Sequence, residues 1–124
     1  MRLLLDTHAA LWWIGGDRRL GEQARAELED DANEVLLSAA VVWEVAIERS
    51  LGKLEAPGDF AGTLLQADVH GLPVSVEHAS LVERLPWHHR DPFDRLLVAQ
   101  ASVEGAALVT ADERLRAYGV PIVW

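Results

Sequence analysis

The chain has 124 residues, half of them hydrophobic and a quarter charged, a length and composition that lead us to expect one domain with a substantial core. Its net charge of −9 counts against general electrostatic binding of nucleic acid, because phosphates attract basic surfaces. The absence of cysteine excludes disulfides and thiolate metal sites, and no apolar run reaches the roughly 18 residues of a membrane helix.

Arg2 to Leu5 is a short continuous apolar run ending at Asp6, as expected of a strand covered on both faces. No cleavable signal precedes it, so the expected compartment is a reducing cytoplasm. Thr7 to Ile14 is then helical and closes at Gly15-Gly16. Leu20 to Asp30 is an amphipathic helix whose Glu22–Asp31 charges form a solvated face. Val35 to Leu37 is a second buried strand closing at Ser38, and Val41 to Leu51 a helix stopped by Gly52. Pro57-Gly58-Asp59 opens a helix running to about Val69. Leu72 to Val76 is expected as a short strand, placed at an edge or strand start by Pro73. Glu77 to Leu85 is helical, and Pro86 to Arg90 is a loop. Pro92 to Glu104 is a helix ended by Gly105, Ala106 to Val109 a buried strand, Asp112 to Tyr118 a short helix and Val120 to Val123 a last strand. Alternation of strands and helices specifies the α/β class: a parallel sheet between layers of helices.

The helix from Pro92 carries an anomaly. Asp94, Leu97, Val98 and Ala101 fall at i, i+3, i+4 and i+7, so an acid shares the stripe that must face inward. A buried carboxylate needs a partner. Three further acids occupy comparable places. Asp6 ends the first strand, and Asp112 follows the strand ending at Val109-Thr110. Glu44 sits about one turn into a helix, among Val41, Ile47 and Leu51 at i−3, i+3 and i+7. Ligands of open parallel sheets bind beyond the carboxyl ends of the strands, which is where Asp6 and Asp112 lie.

If the four converge, their charges conflict. Like charges about 4 Å apart repel by roughly 1 kcal/mol in water and roughly 4 at an effective dielectric of 20. Either some are protonated, or a cation sits among them; oxygen-only ligands then select a hard ion, Mg²⁺ or Mn²⁺. Such a site performs phosphoryl chemistry, here hydrolysis of a phosphodiester. Each acid also has a structural alternative. Asp91 is foremost the N-cap of the Pro92 helix, with Asp94 its capping-box partner. Asp6 and Asp112 can cap the helices that follow them, whereas mid-helix Glu44 has no capping role. Thr7 and Thr110 are candidate auxiliaries or ordinary turn residues. His88, His89, Arg90 and Arg95 form the one basic cluster, available to phosphates or to ion pairs with Asp91 and Asp94. Trp12, Trp13, Trp43 and Trp87 suit core or interface positions.

Taken together, Leu3-Leu4-Leu5-Asp6-Thr7-His8, Trp43-Glu44 followed by Leu51-Gly52-Lys53-Leu54, His89-Arg90-Asp91-Pro92-Phe93-Asp94-Arg95-Leu96-Leu97 and Leu108-Val109-Thr110-Ala111-Asp112 resemble the PIN-domain ribonucleases. They are most similar to the bacterial VapC-type toxins of toxin–antitoxin pairs, over nearly the whole chain. The resemblance implies one PIN-like domain over residues 1–124, a three-layer α/β/α sandwich with a mainly parallel central sheet. It implies a metal-dependent endoribonuclease in which Asp6, Glu44, Asp94 and Asp112 bind Mg²⁺ or Mn²⁺ and activate water to cleave RNA. Asp91 is an additional acid beside that set, an auxiliary candidate with Thr7 and Thr110, and His89, Arg90 and Arg95 are the candidate RNA contacts. The implied partners are RNA, a cognate VapB-like antitoxin whose basic side chain enters the acidic cleft, and a second copy of the chain; no membrane is involved. The alternative is a catalytically inert PIN-like module that acts by binding partners. A phospho-acceptor signalling domain fits less well, because only one Asp ends the first strand and Lys53 is the only lysine.

Overall fold

A computed structural model of the protein describes residues 1–56 and 58–124. Pro57, expected to open a helix with Gly58 and Asp59, lies outside them. Five strands form one sheet: β1 (Arg2–Leu5), β2 (Glu34–Ser38), β3 (His70–Leu72), β4 (Ala107–Val109) and β5 (Ile122–Val123). Their order is β3-β2-β1-β4-β5 and every pairing is parallel. The connecting helices are α1 (Thr7–Ile14), α2 (Glu22–Glu29), α3 (Ala39–Ser50), α4 (Phe60–Gln66), α5 (Val76–Leu81) and α6 (Pro92–Glu104), with 3-10 turns at Val82–Arg84 and Glu113–Tyr118.

Leu3, Leu4 and Leu5 are all fully buried. Successive strand residues point to opposite faces, so helices must cover both faces of β1. The sheet is therefore the middle layer of an α/β/α sandwich. Leu4 pairs with Leu36 on one side and Leu108 on the other, which places leucines across three neighbouring strands at the centre of the core. Gly105 ends α6 in the left-handed conformation (φ 62°), and its N–H returns to the Ala101 carbonyl.

Strand order reverses beside β1. The chain runs outward from β1 through β2 to β3, then returns to lay β4 on the other flank of β1. The carboxyl ends of β1 and β4 thus meet at the switch point where α/β sheets bind ligands. Their register sets Leu5 against Val109, and the Asp6 N–H donates to the Val109 carbonyl at 3.1 Å.

Three elements differ from expectation in kind or position. The third strand is His70–Leu72, upstream of the expected Leu72–Val76. Its register against Leu36–Ser38 ends at Leu72, and Pro73 brings no N–H to extend the ladder. Ser75 then caps α5 in a capping box with His78, which draws Val76 into a helix. The expected helix Glu77–Leu85 is correspondingly α5 plus a 3-10 turn, and the segment after Asp112 is 3-10 as well. The edge position that Pro73 suggested is observed for β3.

Truncation of Leu4 to Ala leaves a cavity on one face of the central strand, between the sheet and the helices that cover that face. Urea denaturation is expected to show a loss of about 3 kcal/mol with an unchanged m-value.

Candidate active site and metal centre

A cavity of about 390 Å³ opens at the carboxyl ends of β1 and β4. Asp6, Glu44, Glu48, Asp91, Asp94 and Asp112 line it, with Thr7, His8, His89 and one arginine, Arg114. The four acids singled out from the sequence are therefore brought together from β1's end, α3, α6 and the 3-10 turn after β4.

Asp6 is 8% exposed. It caps α1, its Oδ1 accepting the Ala9 N–H at 2.8 Å, and it also faces the cavity. Burial pushes its pKa above the ordinary value, against the pull of hydrogen bonds from Thr110 and Ala9. Glu44 accepts a hydrogen bond from the Thr7 hydroxyl. Burial raises its pKa, Thr7 opposes that rise, and the charges of Asp91 and Glu48 add to it. Val41 beside it is buried, whereas Leu51 is the exposed C-cap of α3, so the apolar stripe around Glu44 is shorter than expected.

Asp94 and Asp112 are driven in opposite directions. Burial and the nearby charges of Asp91, Asp6 and Glu44 push Asp94 up to about 7, opposed by His89. Asp112 is held at about 2, chiefly by the Arg114 guanidinium and then by His89. Its Oδ1 accepts the Arg114 backbone N–H at 3.0 Å and Nε at 2.9 Å. Its Oδ2 accepts Arg114 Nη2 at 2.8 Å and lies 2.9 Å from His89 Nε2. Arg114 is 70% exposed on its side chain, so this clasp lies at the mouth of the cavity.

Capping and ligand roles coexist here, because a carboxylate has two oxygens and each cap uses few lone pairs. Asp6 and Asp112 both cap and both line the cavity. Asp91 caps α6 through the N–H groups of Phe93 (2.8 Å) and Asp94 (3.1 Å). The capping-box contact expected of Asp94 is replaced: the Asp91 N–H donates to His89 Nδ1 at 3.0 Å. Thr110, fully buried, accepts the Asp112 N–H at 3.1 Å while holding Asp6. Both auxiliary threonines thus orient acids.

The basic cluster divides. Arg90 and His88 are exposed. Arg95, expected among the RNA contacts, is 3% exposed. Its guanidinium donates to the carbonyls of Pro86 (2.9 Å), Val82 (3.0 Å) and Leu85 (3.3 Å) and to the Tyr118 hydroxyl (3.1 Å), and it stacks on Trp87. It braces the Pro86–Arg90 loop, with its hydrogen bonds directed to protein groups. His89 is also buried, and it lines the acidic cavity. Glu48 and Arg114 were not anticipated from the sequence. Glu48 was signalled by its i+4 spacing from Glu44; nothing local marks Arg114.

Six carboxylates against one exposed guanidinium make a cavity whose chemistry fits a hard divalent cation. Burial first, and then the acidic neighbours, push Asp94 up, the direction expected where carboxylates crowd together.

A family model described as the PIN domain matches residues 3–121. The chain is 33% identical to Ribonuclease VapC22 of Mycobacterium tuberculosis, over 96% of this chain and 93% of that protein. It is 39% identical to Ribonuclease VapC16 of the same organism over 64 residues. Among solved structures it is similar to Rickettsia felis VapBC2 bound to a promoter DNA fragment (TM-score 0.72, 16% identity, 98% of this chain and 97% of that one). It is likewise similar to Mycobacterium tuberculosis VapC20, a sarcin–ricin loop cleaving toxin (TM-score 0.70, 19% identity, 95% of both chains). Those structural likenesses bear on the fold.

A carboxyl raised by its surroundings weakens the fold as it ionises. For Asp94 the metal-free protein is most stable below about pH 4 and loses that contribution as pH rises through about 7. Asp94→Asn is therefore expected to melt several degrees above the parent at pH 8 with a chelator present, and level with it near pH 4. Asp91→Ala is expected to cost about 1 kcal/mol through the lost cap and to lower the Asp94 pKa, read by NMR titration of its carboxyl carbon.

Proposed function

The chain belongs to the PIN-domain family, and from that premise we propose that it is a metal-dependent endoribonuclease, the toxin of a toxin–antitoxin pair. One observation carries this reading above the others: Asp6, Glu44, Asp94 and Asp112, from four separate segments, line one cavity at the strand ends. These four residues would hold Mg²⁺ or Mn²⁺, Asp112 after the exposed Arg114 releases its Oδ1. When bound, the ion would polarise a phosphodiester and make water a better nucleophile at neutral pH.

The protein's own groups set up that chemistry. Thr7 fixes Glu44, and Thr110 fixes Asp6 and the start of the turn that carries Asp112. Asp91 holds the first turn of α6, and with it the backbone of Asp94. The exposed Arg90 stands beside the cavity-lining Asp91 and supplies positive charge for the RNA backbone. The net charge of −9 is compatible with this substrate, since contact with phosphate is local.

The same acidity suits a basic partner. We assign to this chain a cognate VapB-like antitoxin, supported by its relatedness to VapC ribonucleases, with a cationic side chain entering the cavity. A homodimer belongs to the reading: Trp43, 59% exposed, lines with Phe93, Leu96 and Val82 an open apolar groove of about 270 Å³, a surface of the kind that partners cover. Among the described residues no helix is long and apolar enough to cross a membrane, and we place the protein in the cytoplasm as one domain spanning residues 1–124.

RNA cleavage by the purified chain, free of any partner, is expected to require Mn²⁺ or Mg²⁺ and to stop with EDTA. Asp6→Ala and Asp94→Asn are expected to lose about 100-fold or more, equivalent to roughly 3 kcal/mol of transition-state stabilisation. Cleavage by Asp94→Asn at the parent rate, or a parent protein inert toward RNA at every metal concentration, sinks the assignment and favours the non-catalytic partner-binding module.

A further inference from the structure

His89 Nε2, Asp94 and Asp112 place ligand-type atoms within 4.8 Å of one another, an arrangement that by distance alone would make the histidine a metal ligand. Its hydrogen bonds exclude that. The Asp91 backbone N–H, which can only donate, points at His89 Nδ1 at 3.0 Å. Nδ1 is therefore the lone-pair nitrogen, and the ring proton sits on Nε2. That N–H faces Asp112 Oδ2 at 2.9 Å, with Asp94 Oδ2 at 3.5 Å. A cation at Nε2 would need the lone pair that this tautomer lacks.

The ring is also held from behind. The His89 backbone N–H donates to the Tyr118 hydroxyl at 3.0 Å, which takes a second hydrogen bond from buried Arg95 at 3.1 Å. Arg95 in turn ties down the Pro86, Val82 and Leu85 carbonyls. A histidine 8% exposed, locked on three sides, presents one fixed donor to two carboxylates of the cavity.

We propose that His89 is a positioning residue of the metal centre: through its Nε2–H it holds Asp112, and secondarily Asp94, so that the carboxylates form an oxygen-only cation site that the ring itself does not ligate. The proposal rests on the metal-binding reading above. It has a structural consequence for Asp112. With His89 on Oδ2, displacement of the exposed Arg114 guanidinium frees a lone pair of Oδ1 while the side chain keeps its orientation. It also bears on ion choice, since a site without nitrogen or sulfur donors favours Mg²⁺ and Mn²⁺ over zinc.

Two substitutions separate the two ring nitrogens. In His89→Asn the side-chain oxygen can take over from Nδ1 in accepting the Asp91 N–H, but the donor to Asp112 is lost. In His89→Gln the side-chain amide nitrogen reaches the place of Nε2, so the donor is kept and the acceptor lost. Manganese affinity of the full chain, measured by calorimetry and by Mn²⁺ electron paramagnetic resonance, is expected to fall about 10–100-fold in His89→Asn, the usual scale for a group that orients a metal ligand, and to recover in His89→Gln. Fifteen-nitrogen NMR of histidine-labelled parent protein provides a readout that needs no mutant. The His89 Nε2 resonance is expected to be of the protonated type without metal and to remain so at saturating Mg²⁺. A proton on Nδ1, loss of the Nε2 proton on adding Mg²⁺, or nitrogen hyperfine coupling to bound Mn²⁺ overturns the proposal. So does a His89→Asn variant that binds Mn²⁺ as the parent does. A parent that binds no Mn²⁺ removes the metal-centre reading itself, and the role of His89 with it.

Discussion

Mutual repulsion among carboxylates at the ends of β1 and β4 is the constraint around which this molecule is organised. Six acids line one cavity with a single arginine at its mouth. No local segment would choose that arrangement, because each ionised pair works against a fold stabilised by only about 5–15 kcal/mol. It persists because the elements that carry the acids are fixed by other forces. Leucines of β1, β2 and β4 pack between two helical layers, and parallel pairing locks their register. The hydrophobic core holds the charges together.

Within the cavity, environment divides chemically identical groups. Asp112 is clasped by Arg114 and His89 and is held at about 2, while Asp94, desolvated and flanked by other acids, is pushed up to about 7. The difference follows from which donors each side chain meets. The hydroxyl of Thr7, backbone N–H groups at helix starts and the ring of His89 give Glu44, Asp6, Asp91 and Asp112 their partners, yet carboxylates outnumber the one arginine in the cavity. A divalent cation would reduce that imbalance, and it would favour the ionised form of every carboxylate it met.

Parts of the site were legible before any coordinates. Asp94 on an inward apolar stripe and Glu44 in mid-helix were conspicuous because burial and charge conflict there, and Asp6 and Asp112 because acids ended apolar strand sequences. The differences in exposure share one cause. His89 and Arg95 were grouped with Arg90 because all are basic and adjacent, but exposure is a property of three-dimensional packing. Helical rotation turns Arg95 into the space under the Pro86–Arg90 loop, where carbonyls and Tyr118 receive it. The third strand was displaced for a similar reason: Val74 and Val76 carry strand propensity, but Ser75 and His78 form a capping box that pairing with β2 does not reach.

The sequence by itself determined the alternation of strands and helices, the apolar runs of β1, β2 and β4, the cap and glycine stop of α6, and the identity of the acids. These depend on neighbours a few residues away, where periodicity and capping chemistry act. Tertiary structure alone decided that the four acids share a cavity, that Asp112 is clasped by Arg114, and that His89 turns its Nε2–H toward Asp112. Those outcomes depend on the order β3-β2-β1-β4-β5 and on side chains as far apart in the chain as Asp6 and Asp112 meeting at one strand end, and no local pattern encodes such distances.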